Sequence, residues 1–155
     1  MPQNLTTSIC QDYGITYPIF GFAHSINATI AITNAGGLGV FGGTRSTPEE
    51  IEQAMTAIRA GVGDKPFGID LVMPPGMPEQ DNRAAIEAEI PEPHREFVKG
   101  IRDKYQVPEG SGPGMRSRFV RSKEMLDQQL EAVMQSDVDL FACGIGAPPR
   151  AVDQA

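Results

Sequence analysis

The stretch from Tyr17 to Gly43, YPIFGFAHSINATIAITNAGGLGVFGG, constrains the fold of this chain more than any other. It contains two short apolar runs separated by a helix-forming segment. The pattern predicts a strand at Pro18–Phe20, a loop at Gly21–Ser25, a helix at Ile26–Asn34 and a second strand at Leu38–Phe41. A helical crossover joins parallel strands, because antiparallel neighbours need only a short turn. The stretch therefore predicts a βαβ unit.

The glycines of this stretch also match a dinucleotide-binding motif. Gly37–Gly42 fits the spacing G-x-G-x-x-G. That motif binds a pyrophosphate only where it follows a strand and opens a helix. Here the glycines follow the predicted helix and contain the next predicted strand, so we reject the dinucleotide interpretation. Gly36 or Gly37 is instead expected to end the helix in the left-handed conformation that glycine favours.

Two further strands and two further helices have clear sequence signals. Thr47, Pro48 and Glu50 form a capping box that predicts a helix start. Phe67–Val72 and Leu140–Cys143 are the third and fourth predicted strands. The helix after Thr47 has its apolar stripe at Ile51, Ala54, Met55, Ile58 and Val62, and the helix before the fourth strand has its stripe at Leu126, Leu130, Val133 and Met134.

Asp70 is a carboxylate inside an apolar strand. An ionised carboxylate that is buried without partners is costly, so Asp70 needs either a hydrogen-bonding partner or a ligand. Both alternatives stay open at this point.

Residues 77–118 interrupt the alternation of strands and helices. Short helices are expected at Asn82–Glu89 and Pro93–Tyr105, followed by a loop rich in Pro, Gly and Ser. The apolar content is too low for a separate core, so we expect a helical insertion within one domain that spans residues 1–155. His94 is expected to be a surface residue.

Composition excludes several classes of function. The formal net charge of -7 argues against a nucleic-acid or anionic-membrane partner. The sequence shows neither a membrane span nor a secretory leader, and Cys10 and Cys143 lack partner spacing, which together favour a cytoplasmic protein with reduced thiols. No metal-binding motif such as HExxH or CxxC is present.

Four strands that alternate with helices predict an α/β fold, the first half of a TIM (β/α)8 barrel with a helical insertion after the third strand. The active site of such a barrel lies at the C-terminal ends of the strands. Because Arg150–Ala155 would be only the start of another helix, we expect the chain to be a truncated barrel.

Five segments resemble a known family. YPIFGFAH, ITNAGGLGVFGG, TPEEIEQAMTAIR and DKPFGIDLVMP, in this order, resemble the opening of the nitronate monooxygenase family, also called the 2-nitropropane dioxygenase family. LFACGIGAPPRAV resembles its fourth-strand segment. The resemblance covers nearly the whole chain, but only about the first half of a family member.

The resemblance implies an FMN-dependent oxidoreductase that oxidises alkyl nitronates with O2 to a carbonyl compound and nitrite. It implies cofactor contacts at Gly21, Phe22, Ala23, His24 and Asp70. Typical members of the family carry a Gln-Gly-Gly-like segment in place of Gly21, Phe22 and Ala23, and an Asn in place of Asp70. For His24, the alternative is a loop histidine that is hydrogen-bonded to backbone.

The family's catalytic histidine and phosphate-binding loops belong to later strands, so we expect no catalytic residue here and no activity of this stretch alone. Two alternatives stay open. The first is an FMN-dependent enoyl reductase, which shares the opening motifs. The second is a non-catalytic half-barrel binding or assembly module, which would self-associate through its open strand edges.

Overall fold

The computed structural model describes residues 5–80, 82–110, 122–146, 149 and 152. These fall in two compact units. The sheet unit consists of Met1–Gly76 and Met125–Ala155, and the helical unit is Met77–Glu124.

The described elements alternate as the sequence predicts. In chain order they are α1 (Ser8–Tyr13), β1 (Phe20–Ala23), α2 (Ile26–Asn34), β2 (Leu38–Gly42), α3 (Pro48–Val62), β3 (Phe67–Val72), α4 (Arg83–Ala88), α5 (Glu92–Lys104), α6 (Lys123–Met134) and β4 (Leu140–Gly144). The four strands form one sheet in the order β1-β2-β3-β4, and each neighbouring pair is parallel. This confirms the predicted parallel α/β fold.

The first strand begins later than the sequence suggested. The prediction of Pro18–Phe20 is wrong, because β1 pairs with β2 from Phe20 to Ala23. Before that point the backbone N–H of Tyr17 donates to Gly36 O at 2.9 Å, and Pro18 has no N–H to donate. Gly21, Phe22 and Ala23 therefore belong to a strand and not to a loop.

The glycine-rich segment after α2 has the conformation expected of a helix end. Gly36 has a φ of 97°, and its N–H donates to Thr33 O at 3.0 Å. Leu38–Gly42 lies in β2, with all five residues buried. The glycines of the apparent dinucleotide motif therefore end a helix and form a strand, which agrees with its rejection.

The two faces of the sheet have different neighbours. Side chains alternate between faces along each strand. A Cβ at Gly21 would lie 2.8 Å from the Ile32 side chain of α2, so Gly21 belongs to the face that the helices cover, here the helix face. Phe20, Phe22, Leu38, Val40, Gly42 and Asp70 alternate onto the opposite face, here the inner face.

Helix α1 packs at the amino end of the inner face. Its Cys10 forms a buried cluster with Ile15, Leu38 and Val40. Residues 8–13 are helical, and Ile9 on this helix is exposed. The burial of Cys10 and Ile15 explains why this short segment is ordered against the sheet.

The predicted capping box of α3 is present. Thr47 Oγ1 accepts from Glu50 N–H at 3.3 Å, and Glu50 Oε2 accepts from Thr47 N–H at 2.9 Å. The predicted apolar stripe of this helix is fully buried. Local sequence signals and packing therefore agree for α3.

Thr47→Ala is expected to lower the free energy of unfolding by about 1 kcal/mol, because it removes the acceptor that caps α3. Urea unfolding monitored by circular dichroism measures the change. Thr56→Ala is the matched control, since Thr56 lies exposed within α3 and caps nothing. Equal losses for the two variants would contradict a capping role for Thr47.

The helical unit contains α4, α5 and the start of α6. Neither α4 nor α5 has a buried residue, and the apolar Phe97, Val98, Ile101 and Tyr105 are all exposed. Part of the predicted loop before Gly114 and most of the predicted helix at Arg150–Ala155 lie outside the described residues. Within the described residues, every helix is too short or too polar to cross a bilayer.

Candidate functional site

The carboxyl ends of the four parallel strands meet at one edge of the sheet, here the strand-end edge. The register places Ala23 beside Phe41, Gly42 beside Asp70, and Val72 beside Gly144. Residues from four segments that are distant in sequence are thereby brought together. In α/β barrels this is the edge where ligands bind.

Gly42 makes room for two rings at this edge. A Cβ at Gly42 would lie 2.7 Å from Phe22 Cζ and 2.8 Å from His24 Nδ1. The two rings meet edge to face with centroids 4.9 Å apart. Phe22 is 56% exposed, so its ring offers an apolar surface to a ligand.

Asp70 lies beside Gly42 on the neighbouring strand. Its carboxylate is half-buried, and the described residues give it no hydrogen-bond donor. Burial raises the pKa of Asp70, and the nearby charge of His24 offsets only part of this rise. The protein holds an incompletely satisfied carboxyl group at the strand-end edge, which is a typical feature of a binding site.

The environment of Cys143, near the end of β4, favours the protonated form of its thiol. Burial raises the pKa of its thiol, and the negative charge of Asp70 adds to the rise. A hydrogen bond with the backbone of Met73 acts in the opposite direction but does not cancel it. Cys143 therefore remains a protonated thiol at neutral pH, and only the thiolate reacts as a nucleophile.

The segment after β4 is strained. Ile145 has a φ of 61° and is 75% exposed. A β-branched residue rarely adopts this left-handed conformation, and such outliers cluster at functional sites. The next residue, Gly146, packs so closely on Met73 that a Cβ would lie 2.4 Å from Met73 O. In the sequence, Gly144 and Gly146 are the residues that indicate a loop at this point.

The five residues that the family resemblance implies as cofactor contacts lie on both faces of the sheet. Phe22 and Asp70 lie on the inner face, and the His24 ring packs with Phe22 against Gly42. Gly21 faces α2, and Ala23 alternates onto the same helix face. The structure thus brings Phe22, His24 and Asp70 together, whereas Gly21 and Ala23 can offer only backbone atoms to this edge.

Sequence reasoning missed the residues that hold the loop after β2. Thr44 Oγ1 accepts from Val72 N–H at 2.9 Å. Gln129 on α6 is only 1% exposed and donates from Nε2 to Thr44 O at 3.3 Å and to Ser46 O at 2.6 Å. A polar residue three positions after Leu126, within the buried stripe, was the available signal.

A separate concavity lies within the helical unit. It has a volume of about 540 Å³ and is lined by Ile90, His94, Val98, Lys99, Arg102 and Val107, among others. All of these residues are exposed. The strand-end edge is the better candidate, because it combines a partly buried carboxyl group with close-packed glycines.

Asp70→Asn is expected to stabilise the protein at neutral pH and to have no such effect in acid. Because burial raises the pKa of Asp70 above 3.8 in the folded state, ionisation of Asp70 destabilises that state. The free energy of unfolding therefore falls as the pH rises from 3.8 through the raised pKa, and the variant lacks this fall. Urea unfolding across this pH range measures the difference.

Asp64→Asn, which alters an exposed carboxylate in the turn before β3, is the control for this experiment. If Asp70→Asn destabilised the protein equally in acid and at neutral pH, burial of the charge would not be the cause.

Comparisons with known proteins agree with this architecture. The sequence profile of the nitronate monooxygenase family matches residues 4–155. The Mycobacterium tuberculosis protein Rv1533, provisionally named a monooxygenase, is 30% identical over an alignment of 156 positions that covers 94% of this chain and 40% of the relative. A 5-hydroxy-7a-methyl-1-oxo-octahydro-1H-indene-4-carboxyl-CoA dehydrogenase of the same organism is 34% identical over an alignment of 71 positions that covers 43% of this chain and 20% of the relative.

Solved structures show the same fold. Nitroalkane oxidase from Streptomyces ansochromogenes matches with a TM-score of 0.60 at 20% identity, over 96% of this chain and 39% of that protein. A FabK point mutant from Thermotoga maritima matches with a TM-score of 0.58 at 17% identity, over 96% of this chain and 35% of that protein.

These matches confirm the predicted partial α/β barrel. The chain spans about 40% of the length of Rv1533. Since the family profile matches residues 4–155, nearly the whole sequence, the chain belongs to the nitronate monooxygenase family.

Proposed function

We propose that these residues form part of an FMN-dependent oxidoreductase that oxidises alkyl nitronates with O2 to a carbonyl compound and nitrite. Membership of the nitronate monooxygenase family supports the reaction class. The observation that carries the proposal is Asp70, a half-buried carboxyl group that lacks a hydrogen-bond donor among the described residues. It lies where an α/β barrel binds its ligands.

The residues of the strand-end edge fit a flavin. Gly42 keeps the β2 end free of a side chain, and the exposed Phe22 ring supplies apolar surface. Asp70 would face the polar edge of the ring system, since an ionised carboxylate accepts a hydrogen bond from an N–H group and a protonated one donates to a carbonyl. Gly21 and Ala23 would contribute through their backbone.

In this proposal the bound flavin supplies the redox chemistry, and the chain's own residues bind and orient. The raised pKa of Asp70 allows it to carry a proton more readily than an exposed aspartate. His24 lies close enough to influence this equilibrium, since its electrostatic interaction with Asp70 acts to lower the pKa of that carboxyl group. We assign no catalytic base among these residues.

The remaining parts of the proposal concern residues 1–155 alone. Since the chain spans 40% of the length of Rv1533, we propose that residues 1–155 alone bind FMN weakly and do not turn over nitronate. Strands β1 and β4 are the outer strands of the described sheet and can pair with other copies. A cytoplasmic location fits the free thiols of Cys10 and Cys143.

Product analysis tests the proposed reaction. The protein that carries this stretch is supplied with FMN, O2 and ethyl nitronate, and nitrite and acetaldehyde are measured. Asp70→Leu should lower flavin affinity, because Leu cannot form a hydrogen bond. Reduction of an enoyl thioester by a nicotinamide cofactor, without nitrite formation from the nitronate, would overturn the proposal in favour of the enoyl reductase alternative.

A further inference from the structure

The loop after β2, residues Thr44–Ser46, is held at four points. Thr44 Oγ1 accepts from Val72 N–H at 2.9 Å, and Ser46 N–H donates to Gly43 O at 2.9 Å. The carbonyl oxygens of Thr44 and Ser46 both accept from Gln129 Nε2. These four hydrogen bonds restrict the loop backbone. They therefore also restrict the position from which the side chain of Arg45, the middle residue, extends.

Gln129 contacts this loop although it lies 83 positions after Ser46 and 85 positions after Thr44 in the sequence. It is 1% exposed, and its Oε1 has no hydrogen-bond partner among the described residues. A buried amide with an unsatisfied oxygen is costly, and the two hydrogen bonds that Nε2 donates to the loop carbonyl oxygens offset part of this cost. Gln129 is therefore suited to positioning the loop.

Arg45 lies between the two residues whose carbonyls Gln129 holds. Its side chain is exposed and forms no hydrogen bond or ion pair with the described residues. The loop follows Gly42, which pairs with Asp70 at the strand-end edge. Arg45 therefore lies in a fixed loop directly after the carboxyl end of β2, and its side chain has no partner among the described residues.

We propose that Arg45 binds an oxyanion group at the strand-end edge and that Gln129 is its positioning residue. This inference rests on the proposed function, since both a nitronate and the phosphate of FMN carry such a group. A planar guanidinium binds an oxyanion through two parallel hydrogen bonds. It would also offset the repulsion between an anionic ligand and Asp70.

Amide NMR titration of the 15N-labelled 155-residue chain tests the inference with four probes. The anionic ethyl nitronate is compared with neutral nitroethane, and FMN is compared with riboflavin, which lacks the phosphate. Arg45→Met should weaken binding of at least one anionic probe about tenfold and leave its neutral counterpart unchanged. The affected pair distinguishes a substrate oxyanion from the cofactor phosphate.

Matched variants separate specific from general effects. Arg102→Met removes an exposed arginine of α5 that has no partner among the described residues, and it should change no affinity. Gln129→Leu should accelerate amide exchange at Ser46 and lower the ratio of anion to neutral-probe affinity. Gln128→Leu alters an exposed glutamine on the same helix and should do neither.

Each outcome decides one part of the inference. Unchanged anion affinity in Arg45→Met, or no anion binding near Thr44–Ser46 in the unmodified chain, would overturn the role of Arg45. Faster exchange in Gln129→Leu with an unchanged affinity ratio would make Gln129 a structural residue only. Nitronate binding without binding of either FMN or riboflavin would reject the flavin proposal while supporting the oxyanion site.

Discussion

Replacing Arg59 by Met is expected to lower the free energy of unfolding by about 3 kcal/mol, because several charge-assisted hydrogen bonds are lost together. Arg59 Nε lies 2.8 Å from Asp137 Oδ2, and Nη2 lies 2.9 Å from Asp139 Oδ2. Asp139 Oδ2 also accepts from Phe67 N–H at 3.1 Å. Arg59 therefore joins α3 to the amino ends of β3 and β4.

The same guanidinium satisfies backbone oxygens. Its Nη1 donates to Gly63 O at 2.9 Å and Lys65 O at 3.0 Å, and its Nη2 donates to Asp137 O at 2.6 Å. The guanidinium carbon also lies 4.6 Å from the centroid of the Phe67 ring. Methionine preserves much of the aliphatic packing, so the loss reports mainly on these polar contacts.

Arg83→Met is the control for Arg59. Arg83 forms an exposed pair with Glu87 at 3.7 Å, four residues along α4. Such a pair contributes less than about 0.5 kcal/mol. Urea unfolding of both variants measures the difference, and an Arg59 variant no less stable than the Arg83 variant would contradict the network's role.

Gly39→Ala is expected to be comparably destabilising, by about 3 kcal/mol, because a Cβ cannot be accommodated without moving α2 from the sheet. The added atom would lie 2.3 Å from Thr29 O and 2.9 Å from Thr33 Oγ1. Gly39 N–H also donates to Thr33 Oγ1 at 3.0 Å in a buried position. A backbone oxygen cannot rotate away, unlike the end of a flexible side chain.

Gly100→Ala makes the same chemical change as Gly39→Ala, but it is expected to stabilise the protein. Gly100 lies in α5, and a Cβ there would meet nothing within 4 Å. The higher helix propensity of Ala should stabilise by about 0.5–1 kcal/mol. Thermal unfolding compares the two variants. Equal effects would mean that Gly39 is not required by the close approach of α2.

Elements with local signals could be predicted from the sequence. The helix Ile26–Asn34, the strand Phe67–Val72 and the capping box of α3 all occur where expected. The start of β1 was misplaced because it depends on pairing with β2 and on the bonding of Tyr17 N–H to Gly36 O. That information lies in the tertiary structure.

The candidate site was predictable only in part. Asp70 was found because a carboxylate in an apolar strand is conspicuous, and its partial burial agrees with that reasoning. The positions of Gly21 and Ala23 on the helix face could not be derived without the register. The contacts of Gln129 with the Thr44–Ser46 loop join residues more than 80 positions apart, which no local pattern encodes.

A titration of the 15N-labelled chain with FMN tests the central claim, that the strand-end edge forms the flavin site, most directly. Weak binding is expected, with amide shifts concentrated at His24, Gly42, Asp70 and Gly144 and diminished by Asp70→Leu. The claim would be contradicted if shifts occurred at the helical unit alone, or if none appeared at the highest FMN concentration of the titration.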